Sequence, residues 1–350
     1  DYPKLLNDFA FSFPYQETPD QQAAIDDVLK DLASERPMNR LIIGDVGFGK
    51  TEVSLRAAVR VIAEGHQVAV LCPTTILAMQ HHRTFIERCF SFGIKVGLLT
   101  RLQTAGQKKK VLRLLENGEL DILIGTKAIF NKQVRFHRLG LVIADEEHRF
   151  GVKQKEQLKN LSQLNPDFPA EYMAMSATPI PRTLHLALSG LREVSVIATP
   201  PPHRRAIQTH FMRFNISEIA KQIRYELKRG GQVFFVHNRI EDLQAHADII
   251  QSAVPEAIIA VASGRSSRQH IEQTMLDLIE FRCHVLVSTT IIENGIDLPN
   301  VNTIIINNAQ NLGLSQLYQL RGRVGRSKEQ GHCTLLIPKV VCVKSLVPKL

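Results

Sequence analysis

Short apolar runs without polar alternation recur along this 350-residue chain, separated by longer amphipathic stretches, and this rhythm constrains the fold more than any other feature. In the first part they fall at Arg40 to Ile43, Val68 to Cys72, Val96 to Leu99, Asp121 to Ile124, Leu139 to Ala144 and Tyr172 to Met175. A strand with one face in water would alternate with period two. These runs therefore predict strands buried on both faces, as in a parallel sheet covered by crossover helices. Three consecutive prolines followed by basic residues, Thr199-Pro-Pro-Pro-His-Arg-Arg205, then resist helix and sheet alike and suit an exposed linker. Beyond them the rhythm restarts at Ile207 to Phe211, Val233 to His237, Ile258 to Ala262, Val285 to Ser288, Thr303 to Ile306 and Cys333 to Ile337. The expectation is an α/β fold of two domains, residues 1–199 and 200–350, each a doubly wound parallel sheet, joined in tandem with a cleft between them.

The first domain carries a phosphate-binding pattern. Gly44-Asp-Val-Gly-Phe-Gly-Lys-Thr51 fits G-x-x-x-x-G-K-[ST], directly after the strand Leu41-Ile42-Ile43 and directly before a helical run from Glu52 to Ala63. Gly44, Gly47 and Gly49 let backbone amides turn inward around the β- and γ-phosphates of a nucleotide at a helix amino end. Lys50 adds a point charge, and the Thr51 hydroxyl is a ligand for Mg²⁺. The matching acidic residues follow another apolar run, in Leu141-Val-Ile-Ala-Asp145-Glu146-Glu147-His148. An acidic cluster after a strand is by itself most often a solvated helix start. In one domain with a phosphate loop, Asp145 is expected to hold Mg²⁺ through water, and Glu146 to orient and deprotonate the attacking water. Upstream, Phe13-Pro-Tyr-Gln-Glu-Thr-Pro-Asp-Gln21 admits two readings: Gln21 bonds the Hoogsteen edge of adenine while Phe13 stacks on the ring, or the segment is a lead-in with a helix cap at Thr18 or Asp20.

The second domain contributes Gln316-Leu-Tyr-Gln-Leu-Arg-Gly-Arg-Val-Gly-Arg326. Arg323 and Arg326 flank Gly325 in a G-R-x-G-R pattern that presents two guanidinium groups from a close-packed turn. Their expected role is to stabilise charge on the transferring phosphoryl group, with a basic face binding backbone phosphate as the alternative. Ser176-Ala-Thr-Pro-Ile-Pro-Arg-Thr183 and Ser288-Thr-Thr-Ile-Ile-Glu-Asn-Gly-Ile-Asp-Leu-Pro299 each follow an apolar run. Their hydroxyls suit links between the sites and contacts to a nucleic-acid phosphate, and Asp297 suits the ribose or the domain interface. Taken alone, both segments are ordinary turn loops.

Bulk properties agree. Hydrophobic residues make up 44% and charged residues 22%, which is ordinary for a folded domain and far from the disordered range. No stretch approaches 18 uncharged apolar residues, and Asp1-Tyr-Pro-Lys lacks a signal-peptide pattern, so a membrane protein is not expected. Cys72, Cys89, Cys283, Cys333 and Cys342 are odd in number and widely spaced. That favours neither a disulfide framework nor a zinc site and points to the reducing cytoplasm. The net charge is +9, with 25 basic against 22 acidic residues up to residue 200 and 18 against 12 beyond it, an excess that leans towards the second domain and suits a polyanion.

Taken in order, Phe13 to Gln21, Gly44 to Thr51, Pro73-Thr-Thr-Ile-Leu-Ala-Met-Gln80, Ile124-Gly-Thr126, Asp145 to His148, Ser176 to Pro179, Phe235 to Arg239, Ser288 to Asp297 and Gln319 to Arg326 resemble the motif series of superfamily 2 helicases and translocases, across essentially the whole chain. Asp-Glu-Glu-His-Arg-Phe-Gly-Val152, Ala-Thr-Pro-Ile-Pro-Arg-Thr183 and Gln-Leu-Arg-Gly-Arg-Val-Gly-Arg326 resemble the RecG/Mfd branch. Gly-Phe-Gly-Lys-Thr-Glu52 and Glu147 are most similar to the motor domains of the bacterial transcription-repair coupling factors (Mfd), where RecG is expected to carry Ser and Gln. The resemblance implies two RecA-like lobes with ATP and Mg²⁺ between them, Gly295 and Asp297 at the nucleotide, and double-stranded DNA across one edge. Backbone contacts to DNA would come from Thr74, Thr75, Gly125 and Thr126 in the first lobe and from Thr289 and Thr290 in the second. Arg149 and Phe150 would connect the acidic motif to the DNA. Ser263-Gly264 and Asn294 depart from the expected His-Gly and Thr. The translocation hairpin of the family, and the modules that bind RNA polymerase and excision-repair proteins, are not found in these residues, so the sequence reads as a motor core or a natural short form.

Overall fold

The computed structural model describes residues 2–163, 169–177, 192–200, 206–290, 298, 300–325 and 329–338. The chain divides into two compact units, Asp1–Pro202 and His203–Leu350, next to the expected boundary at residues 199 and 200.

In the first unit α1 (Tyr2–Phe11) and α2 (Pro19–Asp31) precede β1 (Asn39–Gly44), α3 (Lys50–Ala63), β2 (Gln67–Leu71), α4 (Thr75–Cys89), β3 (Val96–Leu99), α5 (Ala105–Glu116), β4 (Ile122–Gly125), β5 (Leu139–Asp145), α6 (Val152–Ser162), β6 (Glu171–Ser176) and β7 (Glu193–Ile197). The strands form one sheet in the order β3-β4-β2-β5-β6-β1-β7, with every pairing parallel. Successive residues of β2 show why no polar alternation was visible. Val68 and Val70 pack into a core with Phe9, Ile25, Val53, Ala57 and Phe85 from α1 to α4. Ala69 and Leu71 face the opposite core, built with Leu115 and Leu158 from α5 and α6. Both faces are dry, so both sets of side chains are apolar.

Two polar anchors hold this unit. Gln67 is buried at the start of β2, where its amide donates to the carbonyls of Leu115 and Leu120 at 2.9 and 2.7 Å and accepts from the His137 and Arg138 amides at 2.7 and 3.1 Å. All four of its bonding positions are used, which is the condition for burying an amide without penalty. Arg88 on α4 donates to Glu52 on α3 at 2.9 Å and to the Ser12 carbonyl at 2.9 Å, and lies 4.6 Å from the centre of the Phe9 ring, tying α1 to the domain.

The second unit comprises β8 (Gln208–Met212), α7 (Ile216–Lys228), β9 (Gln232–Val236), α8 (Leu243–Ala253), β10 (Ile259–Ala262), α9 (Arg268–Ile279), β11 (Val285–Ser288), β12 (Val301–Ile306), α10 (Leu314–Arg321) and β13 (His332–Leu336). Its sheet order is β10-β11-β9-β12-β13-β8, again parallel throughout. Both units are all-parallel α/β sheets, as the rhythm of the sequence predicts.

Glu226, fully buried on α7, accepts from Asn302 at 3.0 Å, from Thr303 at 2.6 Å and from Arg229 at 2.6 Å. A Cβ at Gly231 would stand 1.8 Å from its Oε1. Gly231→Ala is therefore expected to displace the carboxylate and destabilise this unit by about 3–5 kcal/mol, the scale of breaking a buried ion pair. Denaturant unfolding followed by circular dichroism measures this, and an unchanged midpoint would overturn it.

Candidate active site

In open α/β sheets ligands gather at the carboxyl ends of the strands. In the first unit β1 ends at Gly44 and enters a loop in which Gly47 and Gly49 take φ of +82° and +83°. That left-handed backbone is costly for residues with a Cβ, which is the physical reason for glycine at these positions. The loop feeds directly into α3, whose first residue is Lys50, so it stands at a helix amino end. The Lys50 ammonium donates to the Gly44 and Asp45 carbonyls at 2.6 and 3.1 Å. Thr51 is half-buried on the first turn of α3.

Gln21 meets this loop, in the manner of the capping reading. Its amide oxygen accepts from the Thr18 amide at 2.9 Å, Thr18 Oγ1 accepts from the Gln21 amide, and Thr18 is the cap of α2. Its amide nitrogen donates to the Phe48 carbonyl at 2.8 Å and lies 2.3 Å from where a Cβ on Gly49 would stand. Gln21 thus buttresses the phosphate loop, and reading adenine with both ends would require exchanging these bonds. The Phe13 ring is half-buried, 5.6 Å from the Tyr15 ring and 5.5 Å from the Arg88 guanidinium. Asp20 is not the cap: its Oδ2 accepts from the Ala198 and Thr199 amides and the Thr199 hydroxyl.

β5 delivers Asp145 and Glu146, both buried. Asp145 Oδ2 lies 2.8 Å from His81 Nε2 on α4. Burial pushes the Asp145 carboxyl up, but the charge and hydrogen bond of His81, and then Lys50, outweigh it and hold the group below its usual range. Glu146 takes a left-handed turn, φ 48° and ψ 48°, at a cost of about 1–3 kcal/mol that the surrounding packing must sustain. The turn aims its carboxylate at the end of β6, where Oε2 accepts from the Ala177 amide at 3.3 Å. Burial, and then the charge of Asp145, raise this carboxyl. His148 Nδ1 lies 3.3 Å from Glu146 Oε2 and 3.2 Å from Ser176 Oγ, joining the acidic turn to the Ser-Ala-Thr-Pro segment. Burial, and then the charge of Arg149, lower His148. Lys50 is close enough to lower both acidic groups, so the phosphate loop and the acidic turn share one electrostatic field. Oxygen donors on Thr51 and Asp145 beside a glycine-lined loop fit a hard cation bound to a phosphate chain.

The residues expected at DNA are less open. Thr74 and Thr75 are buried at the amino end of α4, where Thr74 caps the helix by accepting from the Leu77 amide. Gly125 closes β4, and a Cβ there would meet the Leu99 carbonyl at 2.4 Å. Thr126 is half-buried beside it. In the second unit Thr289 is buried and Thr290 exposed at the end of β11. Arg323 is buried in a turn where Gly325, at φ +70°, packs against Gly331. The close-packed turn is thus present. Gly295, Asp297, Arg326, Asn294 and residues 178–183 lie outside the described residues.

Two partners went unread in the sequence. His81 lies seven residues after the helix cap Thr74, and no spacing in the sequence singles it out. Arg192 donates to Glu147 at 2.6 Å and stacks 5.1 Å from the Tyr172 ring centre, joining the acidic turn to β7.

Comparison with known proteins identifies the family. The DEAD/DEAH box helicase family matches residues 18–187, and the helicase conserved C-terminal domain matches residues 215–328. The two matches follow one another along the chain, which belongs to the superfamily 2 helicases. It is similar to the transcription-repair-coupling factor of Bacillus subtilis strain 168, with 49% identity over 329 residues, covering 94% of this chain and 28% of that protein. The same factor of Staphylococcus aureus strain USA300 is 46% identical over 330 residues, with the same coverage. Among solved structures the chain is similar to RecG bound to a three-way DNA junction, with TM-score 0.82 and 38% identity, covering 98% of this chain and 46% of that one. Within superfamily 2 it belongs to the RecG/Mfd branch, and it spans just over a quarter of the length of these coupling factors.

Proposed function

We propose that the chain is the motor core of a bacterial transcription-repair coupling factor, an ATP-driven double-stranded DNA translocase that displaces stalled RNA polymerase. The observation that carries this reading is a phosphate loop and a strained, buried acidic turn in one electrostatic field, within a region 49% identical to a coupling factor. ATP with Mg²⁺ supplies the phosphoryl group and the metal charge. Gly44, Gly47, Gly49 and Lys50 bind the phosphates, Thr51 and Asp145 hold Mg²⁺, and Glu146 takes the proton of the attacking water. Arg323 and Arg326 stabilise the charge that develops, Gly295 and Asp297 serve the nucleotide, and Phe13 and Gln21 flank it. Thr74, Thr75, Gly125, Thr126, Thr289 and Thr290 hold the DNA backbone, which suits a motor that must grip any sequence. RNA polymerase and excision-repair proteins engage other parts of such a factor, in the bacterial cytoplasm. Among the described residues no helix is long and apolar enough to cross a membrane.

The test is ATP turnover with and without linear duplex DNA. Duplex is expected to raise kcat several-fold. Binding of DNA without a change in turnover would reduce the chain to an ATP- and DNA-binding module. The similarity to RecG favours a second reading, fork processing. Turnover that responds to a branched junction but not to linear duplex would select it.

A further inference from the structure

α4 is a 15-residue helix that runs from the proposed DNA contact to the acidic turn. Its amino end, at Thr74 and Thr75, lies where DNA phosphate is proposed to bind. His81, two turns along, is 9% exposed, packs edge-on against Phe85 with ring centres 6.1 Å apart, and reaches Asp145 Oδ2 at 2.8 Å. At 1.5 Å per residue the histidine stands about 10 Å from the helix amino end. The topology explains the meeting: β2 pairs with β5, so the helix leaving β2 passes the end of β5, where Asp145 stands.

We infer that His81 is a positioning residue that couples the hold of α4 on DNA to the placement of the Asp145 carboxylate. This rests on the reading of the α4 amino end as a DNA contact. A phosphate drawn to that end by the helix dipole acts on the helix as a packed body. His81 moves with the helix. Its hydrogen bond is buried, where water cannot readily replace it, so a shift of the ring is felt at the carboxylate. Coupling of this kind is reciprocal: nucleotide at the phosphate loop changes the affinity of α4 for DNA by the same factor as DNA changes that of nucleotide.

Reciprocity gives a readout independent of turnover. Fluorescence anisotropy of a labelled linear duplex, in Mg²⁺ with and without a non-hydrolysable ATP analogue, measures the ratio of the two DNA dissociation constants. In the unaltered chain the ratio is expected to fall in the range of about 5 to 150. His81→Leu is expected to bring it within about twofold of one while leaving nucleotide-free DNA affinity within about twofold of the unaltered chain. His81→Gln places a donor nitrogen where Nε2 stands and is expected to restore most of the ratio, whereas His81→Asn is too short to reach and is expected to resemble His81→Leu. Should His81→Leu fail to fold, the Gln and Asn pair carries the test. An unchanged ratio in His81→Leu, equal ratios in the Gln and Asn variants, or a ratio of one in the unaltered chain overturns the coupling. Thr74→Asp separates the underlying reading, because it keeps the helix cap but adds negative charge where phosphate is proposed to bind. If Thr74→Asp leaves DNA affinity unchanged, α4 is not a DNA contact. If it weakens binding while the ratio persists in His81→Leu, only the coupling fails.

Discussion

Glu146→Gln is expected to slow ATP hydrolysis by about 10²- to 10⁴-fold while leaving ATP binding nearly intact, the range over which a positioned general base contributes. Glutamine has the same shape, and its carbonyl oxygen can still accept from the Ala177 amide, so the left-handed turn has no reason to relax. What it loses is the ability to take a proton. The raised affinity of Glu146 for that proton, caused by burial and then by the charge of Asp145, brings a carboxylate closer to the working pH of a base. Single-turnover hydrolysis alongside equilibrium binding of a fluorescent ATP analogue separates the two effects. Turnover near the unaltered rate would remove Glu146 from the role of base.

Arg326→Ala is expected to have the larger effect, a loss of about 10³- to 10⁵-fold in kcat, the contribution of an arginine finger to phosphoryl transfer. Lysine should not rescue it, because a point charge lacks the planar fork that spans two phosphoryl oxygens. The turn before it is tightly packed: Gly325 adopts φ +70° and lies against Gly331, where a Cβ on Gly331 would lie 2.8 Å from the Gly325 Cα. Steady-state ATPase and duplex binding of the same variant distinguish the two readings of this segment. Weakened DNA binding with kcat retained would make it a backbone-phosphate face instead.

Much of the fold was legible because its strands are dry on both sides. Unalternating runs such as Val68 to Cys72 have few other uses. β7 was missed: as the last strand of its sheet it keeps Glu193 and Val196 exposed, and the resulting mixture of polar and apolar residues gives no clean run. α1 was missed because its anchor, Arg88, arrives from α4, 76 residues beyond Ser12. Gln21 left two readings open, since an amide three residues after Thr18 caps a helix as readily as it reads a base. The Phe48 carbonyl at 2.8 Å, 27 residues away, engaged its other end.

The division follows from range. Features that depend on neighbours in the chain were determined by the sequence alone: the glycines of the phosphate loop answer to local φ, Lys50 and Thr51 to the first turn of a helix, and Asp145 and Glu146 to the end of an apolar strand. Pairings between distant elements were decided only by the tertiary structure. His81 meets Asp145 across 64 residues and Arg192 meets Glu147 across 45, because the crossover order of a parallel sheet, and not spacing along the chain, sets which strand ends stand side by side.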